Sequence, residues 1–239
     1  MRPSLQLLLC AFWTAVAFYA LSRPPRSPRS FPEQGDDPLP LRGVYNPNLA
    51  AALDQEDLRD FWQKPDQVLE ALGPLEGLAV ADIGCGEGYF TLRLLSLVGD
   101  TGKVYATDIQ QEVLDTLERR IPEEYRSRVE LIHSDAKGIG IPGRVDLILL
   151  VQVLGEVQQR GEFLRQIREL MHQNTRLAII DSKHITDPDN GFTRPLNLRK
   201  LIEELNQAGF GLDPDYQQGQ FDFLPKQFFF VFVLADMGP

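Results

Sequence analysis

The stretch "VADIGCGEGYFTLRL", residues 80–94, decides how the rest of the chain is read. A short apolar run ends in Asp82, and glycines follow at every second position, Gly84, Gly86 and Gly88. An amphipathic run then begins. Apolar runs of this length bounded by glycine are strands, and apolar residues spaced by three and four are helices. The segment is therefore a strand, a tight turn and a helix start. Glycine there lets the backbone adopt positive φ and lets a ligand approach it closely.

The same alternation continues downstream. "KVYATDI" reads as a strand, "QEVLDTLERRI" as a helix that stops at Pro122, and "RVELIHSDA" as a strand. "VDLILLVQVL" is an apolar strand, and "GEFLRQIRELM" carries Phe163, Leu164, Ile167, Leu170 and Met171 on one helical face. "RLAIIDS" is a strand, "LNLRKLIEELNQAGF" a helix ended by Gly209, and "QFFFVFVLA" a last, very apolar strand. Upstream, "NLAAALDQEDLRDFWQKPDQVLEAL" reads as two short helices, with Pro65 starting the second and Gly73-Pro74 stopping it. Strands that are apolar throughout and alternate with helices form a parallel sheet covered on both faces. The fold class is α/β, doubly wound and Rossmann-like.

The first 48 residues differ in kind. Residues 3–22 carry no charge, and twenty residues at about 1.5 Å each span a hydrocarbon core. Residues 1–22 are thus expected to be a hydrophobic helix, either a membrane anchor through residues 5–21 or a signal peptide cleaved after Ala15-Val16-Ala17. Residues 23–48 hold seven of the seventeen prolines and read as an extended linker. Arg23, Arg26 and Arg29 follow the apolar segment, against Arg2 alone before it. Positive-inside logic then places a membrane-anchored body, residues 49–239, on the cytoplasmic side.

Composition narrows the partners. The net charge is −10, and beyond residue 30 the chain has 20 basic against 34 acidic residues. Nucleic-acid binding needs a cationic face, and none is present, so no nucleic-acid partner is expected. Two distant cysteines and three scattered histidines offer no disulfide framework or metal spacing, so no metal is expected.

In doubly wound sheets, ligands bind at the carboxyl ends of the strands where the order reverses. The dinucleotide fingerprint G-x-G-x-x-G needs glycine where Tyr89 stands, and no Lys-Ser/Thr follows to make a phosphate loop. Asp108 ends the next strand, twenty residues after Gly88, where a carboxylate can accept both hydroxyls of a ribose. Asp135 ends the third strand.

With these acids in register, residues 78–183 resemble the class I S-adenosylmethionine-dependent methyltransferases. "VADIGCGEG" resembles their first motif, "VYATDI" their ribose-binding strand end, "HSDA" their adenine-side motif and "VDLILLVQVLGEV" their fourth-strand motif. The resemblance implies a mostly parallel seven-stranded sheet with an antiparallel last strand. It implies S-adenosyl-L-methionine as cofactor, held by Asp82, Gly84, Cys85, Gly86, Gly88, Asp108, Ile109, Asp135, Ala136 and Gln152. Many relatives carry His in the fourth motif where this chain has Gly155, so any role of that His is absent or moved.

Each residue also has a plain structural reading. The glycines serve any tight turn, Asp82 caps a helix or bonds amides, Asp135 turns a loop and Cys85 is a small filler. Glu156 and His184 border the expected acceptor cleft as candidate catalysts or as solvated loop residues. His133 lies within a strand, and Tyr45 and Trp62 precede the core where relatives build a lid. Methyl transfer from a sulfonium is in-line displacement and needs a base only for a protonated, weak acceptor. The expected activity is methyl transfer to a small-molecule or lipid-like acceptor near a membrane. A nicotinamide-dependent oxidoreductase and a cofactor-binding protein without turnover are the alternatives.

Overall fold

The computed structural model describes residues 56–135, 138–186, 193–195, 197–216 and 223–235. The expected N-terminal helix and linker lie outside them, as does Ala136. Among the described residues no helix is long and apolar enough to cross a membrane.

Two short helices come first, α1 (Glu56–Gln63) and α2 (Pro65–Ala71). Pro65 sits at the start of α2, where a missing N–H costs nothing. Then β1 (Ala79–Ile83), α3 (Thr91–Leu97), β2 (Lys103–Asp108) and α4 (Gln111–Arg120) follow. A 3₁₀ turn over Glu123–Arg128, after Pro122, leads to β3 (Val129–His133) and then β4 (Val145–Val151). The second half runs α5 (Arg160–Glu169), β5 (Met171–Ser182), β6 (His184–Thr186), β7 (Thr193–Pro195), α6 (Leu198–Gln207), β8 (Phe210–Leu212) and β9 (Gln227–Leu234). Asn197 caps α6 by accepting from the Lys200 amide, and Gly209, at φ +87°, ends it.

The main sheet has seven strands in the order β3-β2-β1-β4-β5-β9-β8. Strands β1 to β5 are mutually parallel, and β9 runs antiparallel between β5 and β8. The doubly wound sheet with an antiparallel closing strand is thus present. The seventh strand is β8, three residues long and preceded directly by Gly209. The separate β6–β7 ribbon has no counterpart in the sequence reading.

Side-chain alternation explains why the strands are apolar throughout. Val80, Leu147, Leu149, Ala178, Ile180, Phe229 and Val231 belong to one core, which takes in Leu94 and Leu95 of α3 and Leu114 and Leu117 of α4. Their neighbours Ala81, Ile83, Ile148, Leu150, Leu177, Ile179, Phe228 and Phe232 belong to the other, under Leu164 and Ile167 of α5 and Leu201 and Leu205 of α6. Helices therefore cover both faces, and only the strand ends are left for polar chemistry. The chain winds from β1 outward to β3, then returns to place β4 on the other side of β1. That reversal opens a crevice at the carboxyl ends of β1 and β4.

Candidate functional site

The three turn glycines all have positive φ, +73° at Gly84, +54° at Gly86 and +87° at Gly88. They differ in what surrounds them. A Cβ on Gly84 would lie 2.5 Å from Cγ2 of Val153, in the loop after β4. A Cβ on Gly88 would lie 2.2 Å from Cδ1 of Leu117 on α4. A Cβ on Gly86 would meet no heavy atom of the described residues within 4 Å. Gly84 and Gly88 are thus small because the fold packs against them, and Gly86 faces open space.

Asp108, at the end of β2, is buried, and both its oxygens reach the loops beside it. Oδ2 accepts from the Gly86 amide at 2.9 Å and Oδ1 from the Gln110 amide at 3.0 Å. The carboxylate therefore ties the glycine turn to the end of β2, a role its sequence position did not suggest. Each oxygen keeps a further lone pair for a ligand hydroxyl. Ile109 beside it is an exposed large apolar side chain at the crevice, 68 % accessible.

Asp82 points into the protein. Thr91 Oγ1 at the start of α3 donates to it at 2.6 Å. Burial pushes its carboxyl up to about 6, against the opposing pull of the Thr91 hydroxyl and Arg59. Asp181, near the end of β5, is likewise pushed up to about 6 by burial. It accepts from the amides of Ser182, Gly155 and Leu154 and so holds the loop after β4. The sequence reading missed Asp181, although an acid near a strand's carboxyl end is the same signal that marks Asp82 and Asp108. Glu156 is exposed to solvent yet hemmed in by protein. Desolvation, with the charges of Asp181 and Asp108, holds its carboxyl above the usual range.

Both buried aspartates have folded-state values above the ordinary ~3.9 of an unfolded aspartate. They stabilise the fold fully below pH ~4 and progressively less as pH rises through about 6. Asp82→Asn keeps the Thr91 hydrogen bond and removes the buried charge. At pH 7 it is expected to raise ligand-free stability by about 1–3 kcal/mol and to flatten the loss between pH 4 and 7. Urea denaturation across that range measures both, and an unchanged pH profile would refute it.

The other sequence candidates are distributed as follows. Gln152 follows β4 with φ +58°, a conformation unusual for a residue with a side chain. Its amide N–H bonds to the carbonyl of Ile180, and its Nε2 donates to Ser182 Oγ at 3.4 Å. Asp135 turns its own loop, Oδ1 accepting from the Gly138 amide. His133 is exposed, its Nε2 lying 3.1 Å from the Ile109 carbonyl. Cys85 is buried, and burial drives its thiol far up, so it is a filler and not a nucleophile. His184 is exposed on β6, off the main sheet. Trp62 on α1 lies under the Lys226 ammonium, 5.8 Å from the ring centroid.

Tyr89 explains the missing third glycine of the dinucleotide fingerprint. Its ring is buried, with the guanidinium groups of Arg59 and Arg93 at 3.8 and 4.4 Å from the centroid. Its hydroxyl donates to Asp60, which also pairs with Arg93. The tyrosine thus fastens α1 over the glycine turn, using the place where the dinucleotide fingerprint needs a glycine for close helix–strand packing.

A family model described as a methyltransferase domain matches residues 75–212. A demethylmenaquinone methyltransferase of Lactococcus lactis is 25% identical over 130 residues, covering 54% of this chain and 51% of that protein. A demethylmenaquinone methyltransferase of a Geobacillus strain is 29% identical over 122 residues, covering 51% of this chain and 52% of the relative. The chain spans about half the length of the curated relatives it matches. Among solved structures, a SAM-dependent methyltransferase from Aquifex aeolicus superposes with a TM-score of 0.65 at 25% identity, over 80% of this chain and 100% of that one. With the family model over more than half its length and the sheet order in agreement, the chain belongs to the methyltransferase domain family and has the fold of the class I S-adenosylmethionine-dependent enzymes.

Proposed function

We propose that the chain is an S-adenosylmethionine-dependent methyltransferase acting on a small, lipid-like acceptor of the quinone type. One observation carries this reading. Gly86, open on its Cβ side, donates its amide to Asp108, whose charge acts on those of Asp82 and Glu156, as the charge of Asp181 acts on that of Glu156. S-adenosylmethionine carries a sulfonium and an ammonium and suits such a field, whereas the pyrophosphate of a nicotinamide dinucleotide is repelled by it. The quinone-type acceptor is supported by the names of the demethylmenaquinone methyltransferases to which the chain is similar.

When bound, the cofactor supplies an electrophilic methyl whose leaving thioether needs no proton. The chain's own residues bind and orient. In this reading Asp108 accepts from the ribose hydroxyls while the Gly86 and Gln110 amides hold its carboxylate in place. Ile109 lays its exposed side chain against the adenine, and Asp135 meets the adenine edge. Gly84, Cys85 and Gly88 shape the turn, and Asp82, behind it, and Gln152 set the field at the methionine end. Glu156 belongs to the carboxylate set, and its raised affinity for protons suits it to take a proton from an acceptor hydroxyl. His184, exposed on the separate ribbon two residues after Ser182, is the other candidate for that role.

Calorimetry with the full chain tests the reading against S-adenosylmethionine, S-adenosylhomocysteine, NAD and NADP. The first two are expected to bind and the dinucleotides not. Binding of NAD or NADP alone would overturn it in favour of an oxidoreductase. Binding of S-adenosylmethionine without methyl transfer to any quinol would favour the alternative of a non-catalytic binder.

We also propose that residues 5–21 anchor the chain in a membrane with the body facing the cytoplasm. The uncharged segment and the arginines after it support this, as does the cytoplasmic supply of the cofactor. Sequencing of the mature N-terminus and protease treatment of sealed membranes test it. A mature chain beginning at Phe18, or a body digested from outside, would refute it.

A further inference from the structure

We infer that the side-chain amide of Gln227 is a recognition donor for the methyl acceptor, presenting an N–H to a carbonyl or quinol oxygen. The inference rests on the methyltransferase reading above and names the group that reads the acceptor.

The polarity of a buried hydrogen-bond chain gives the first argument. Arg59 Nε donates to Oε1 of Gln63. A guanidinium has donors only, so the Gln63 oxygen must face Arg59 and its amide must face away. That amide, Nε2, donates to Oε1 of Gln227 at 3.1 Å. The Gln227 oxygen is thus taken, and its Nε2 becomes the outgoing end of the chain. Gln63 and Gln227 are 0 % and 1 % accessible. Nε2 of Gln227 has no hydrogen-bond partner among the described residues. Turning the Gln227 amide over would set two N–H groups against each other at Gln63, so the polarity is not a free choice. A buried amide N–H in native proteins has a partner, from the protein, from water or from a ligand.

Position gives the second argument. Gln227 opens β9 and pairs with Ser182 at the end of β5. Val80, Ile180 and Phe229 share one core. Two residues further toward the same sheet edge, their rows end in Asp82, Ser182 and Gln227. Ser182 Oγ accepts from Gln152, and the next residue, Val153, packs on Gly84. The unpartnered donor therefore stands on the carboxyl edge of the sheet, on the face that holds Asp82, beneath Gln63 of α1. In the methyltransferase reading the cofactor occupies the ends of β1 and β2. The acceptor then lies over the ends of β4, β5 and β9, where Gln227 is. Gln63 acts through Gln227, as a positioning residue. The ligand chemistry that fits is an oxygen acceptor on an otherwise apolar ring system.

The test uses the full chain saturated with S-adenosylhomocysteine, and 1,4-dihydroxynaphthalene, kept reduced, as probe. Gln227→Met keeps the length of the side chain and removes the donor. The variant is expected to bind the probe about ten-fold or more weakly, a change of about 1.4 kcal/mol, with S-adenosylhomocysteine affinity within about two-fold of wild type. In wild-type protein the Gln227 side-chain amide resonance is expected to move on adding the probe and to stay on adding naphthalene. That measurement stands even if the variant fails to fold. Equal affinity of both proteins for the probe, an unmoved amide resonance, or wild-type protein that binds S-adenosylhomocysteine but not the probe would each overturn the inference. Wild-type protein that binds no S-adenosylhomocysteine would instead overturn the methyltransferase reading.

Discussion

Gly88→Ala is expected to lower stability by about 2–5 kcal/mol, while Gly86→Ala, two residues away, is expected to lower it by only about 1 kcal/mol and yet to abolish cofactor binding. At Gly88 two penalties combine. The backbone is at φ +87°, and the new Cβ lands 2.2 Å from Cδ1 of Leu117, with Cγ and Cδ2 at 3.2 Å. Leu117 is fully buried in the core shared by α3 and α4, so it has little room to yield. In a chain of 239 residues the loss corresponds to a fall in melting temperature of roughly 5–15 °C. At Gly86 only the φ of +54° opposes a side chain, because no heavy atom of the described residues lies within 4 Å. The melting temperature should then move by a few degrees, and titration with S-adenosylmethionine should show affinity reduced about 100-fold or more, since the methyl group enters the ligand's space. If Gly86→Ala binds as wild type does, the glycine turn is not the cofactor seat. If Gly88→Ala melts with wild type, Leu117 has room that the packing denies it.

Asp108→Ala is the second large effect, and it is expected in both binding and stability. Losing charge-assisted hydrogen bonds to the ribose should weaken S-adenosylmethionine by about 2–4 kcal/mol, on the order of 30- to 1,000-fold. The same change strips the Gly86 and Gln110 amides of their acceptor. Each amide left unpaired in a partly buried place costs about 1–3 kcal/mol, so the variant is also expected to be less stable before any ligand is added. Asp108→Asn separates the two losses. Its single carbonyl oxygen keeps one amide paired, so about half the stability should return, while its NH₂ group cannot accept a second hydroxyl and affinity should stay low. Calorimetry and urea denaturation on both variants check this. Unchanged affinity in folded Asp108→Ala would remove the carboxylate from the ribose site.

Much of this was legible in the chain itself, for a local reason. Strands buried on both faces must be apolar at every position, and helices must repeat near 3.6, so the alternation from β1 to α6 follows from residue order alone. Pro65, Gly73 and Gly209 stop or start helices through their own φ preferences, and the structure ends those elements there. The Gly84, Gly86 and Gly88 turn and the Asp108 strand end were visible because each depends on residue type at a fixed place along one strand.

The tertiary structure decided everything that depends on which strand lies beside which. The three glycines look alike in sequence, and only packing separates them: Val153 abuts the Cβ side of Gly84, Leu117 that of Gly88, and no heavy atom of the described residues that of Gly86. Both abutting residues come from elsewhere in the chain, after β4 and on α4. β8 is too short to show a period, and it becomes a strand only because β9 supplies its hydrogen-bond partners. Asp181 holds the loop after β4 only because β5 lies beside β4, which brings the amides of Leu154 and Gly155 to its carboxylate. The chain of Arg59, Gln63 and Gln227 joins residues up to 168 positions apart, so no window of sequence contains it. Residue order sets which segments are strands, turns and helices, because those depend on neighbours along the chain. Which polar groups meet at the carboxyl edge is set by strand order, because burial of the two apolar faces leaves that edge as the place where distant side chains converge.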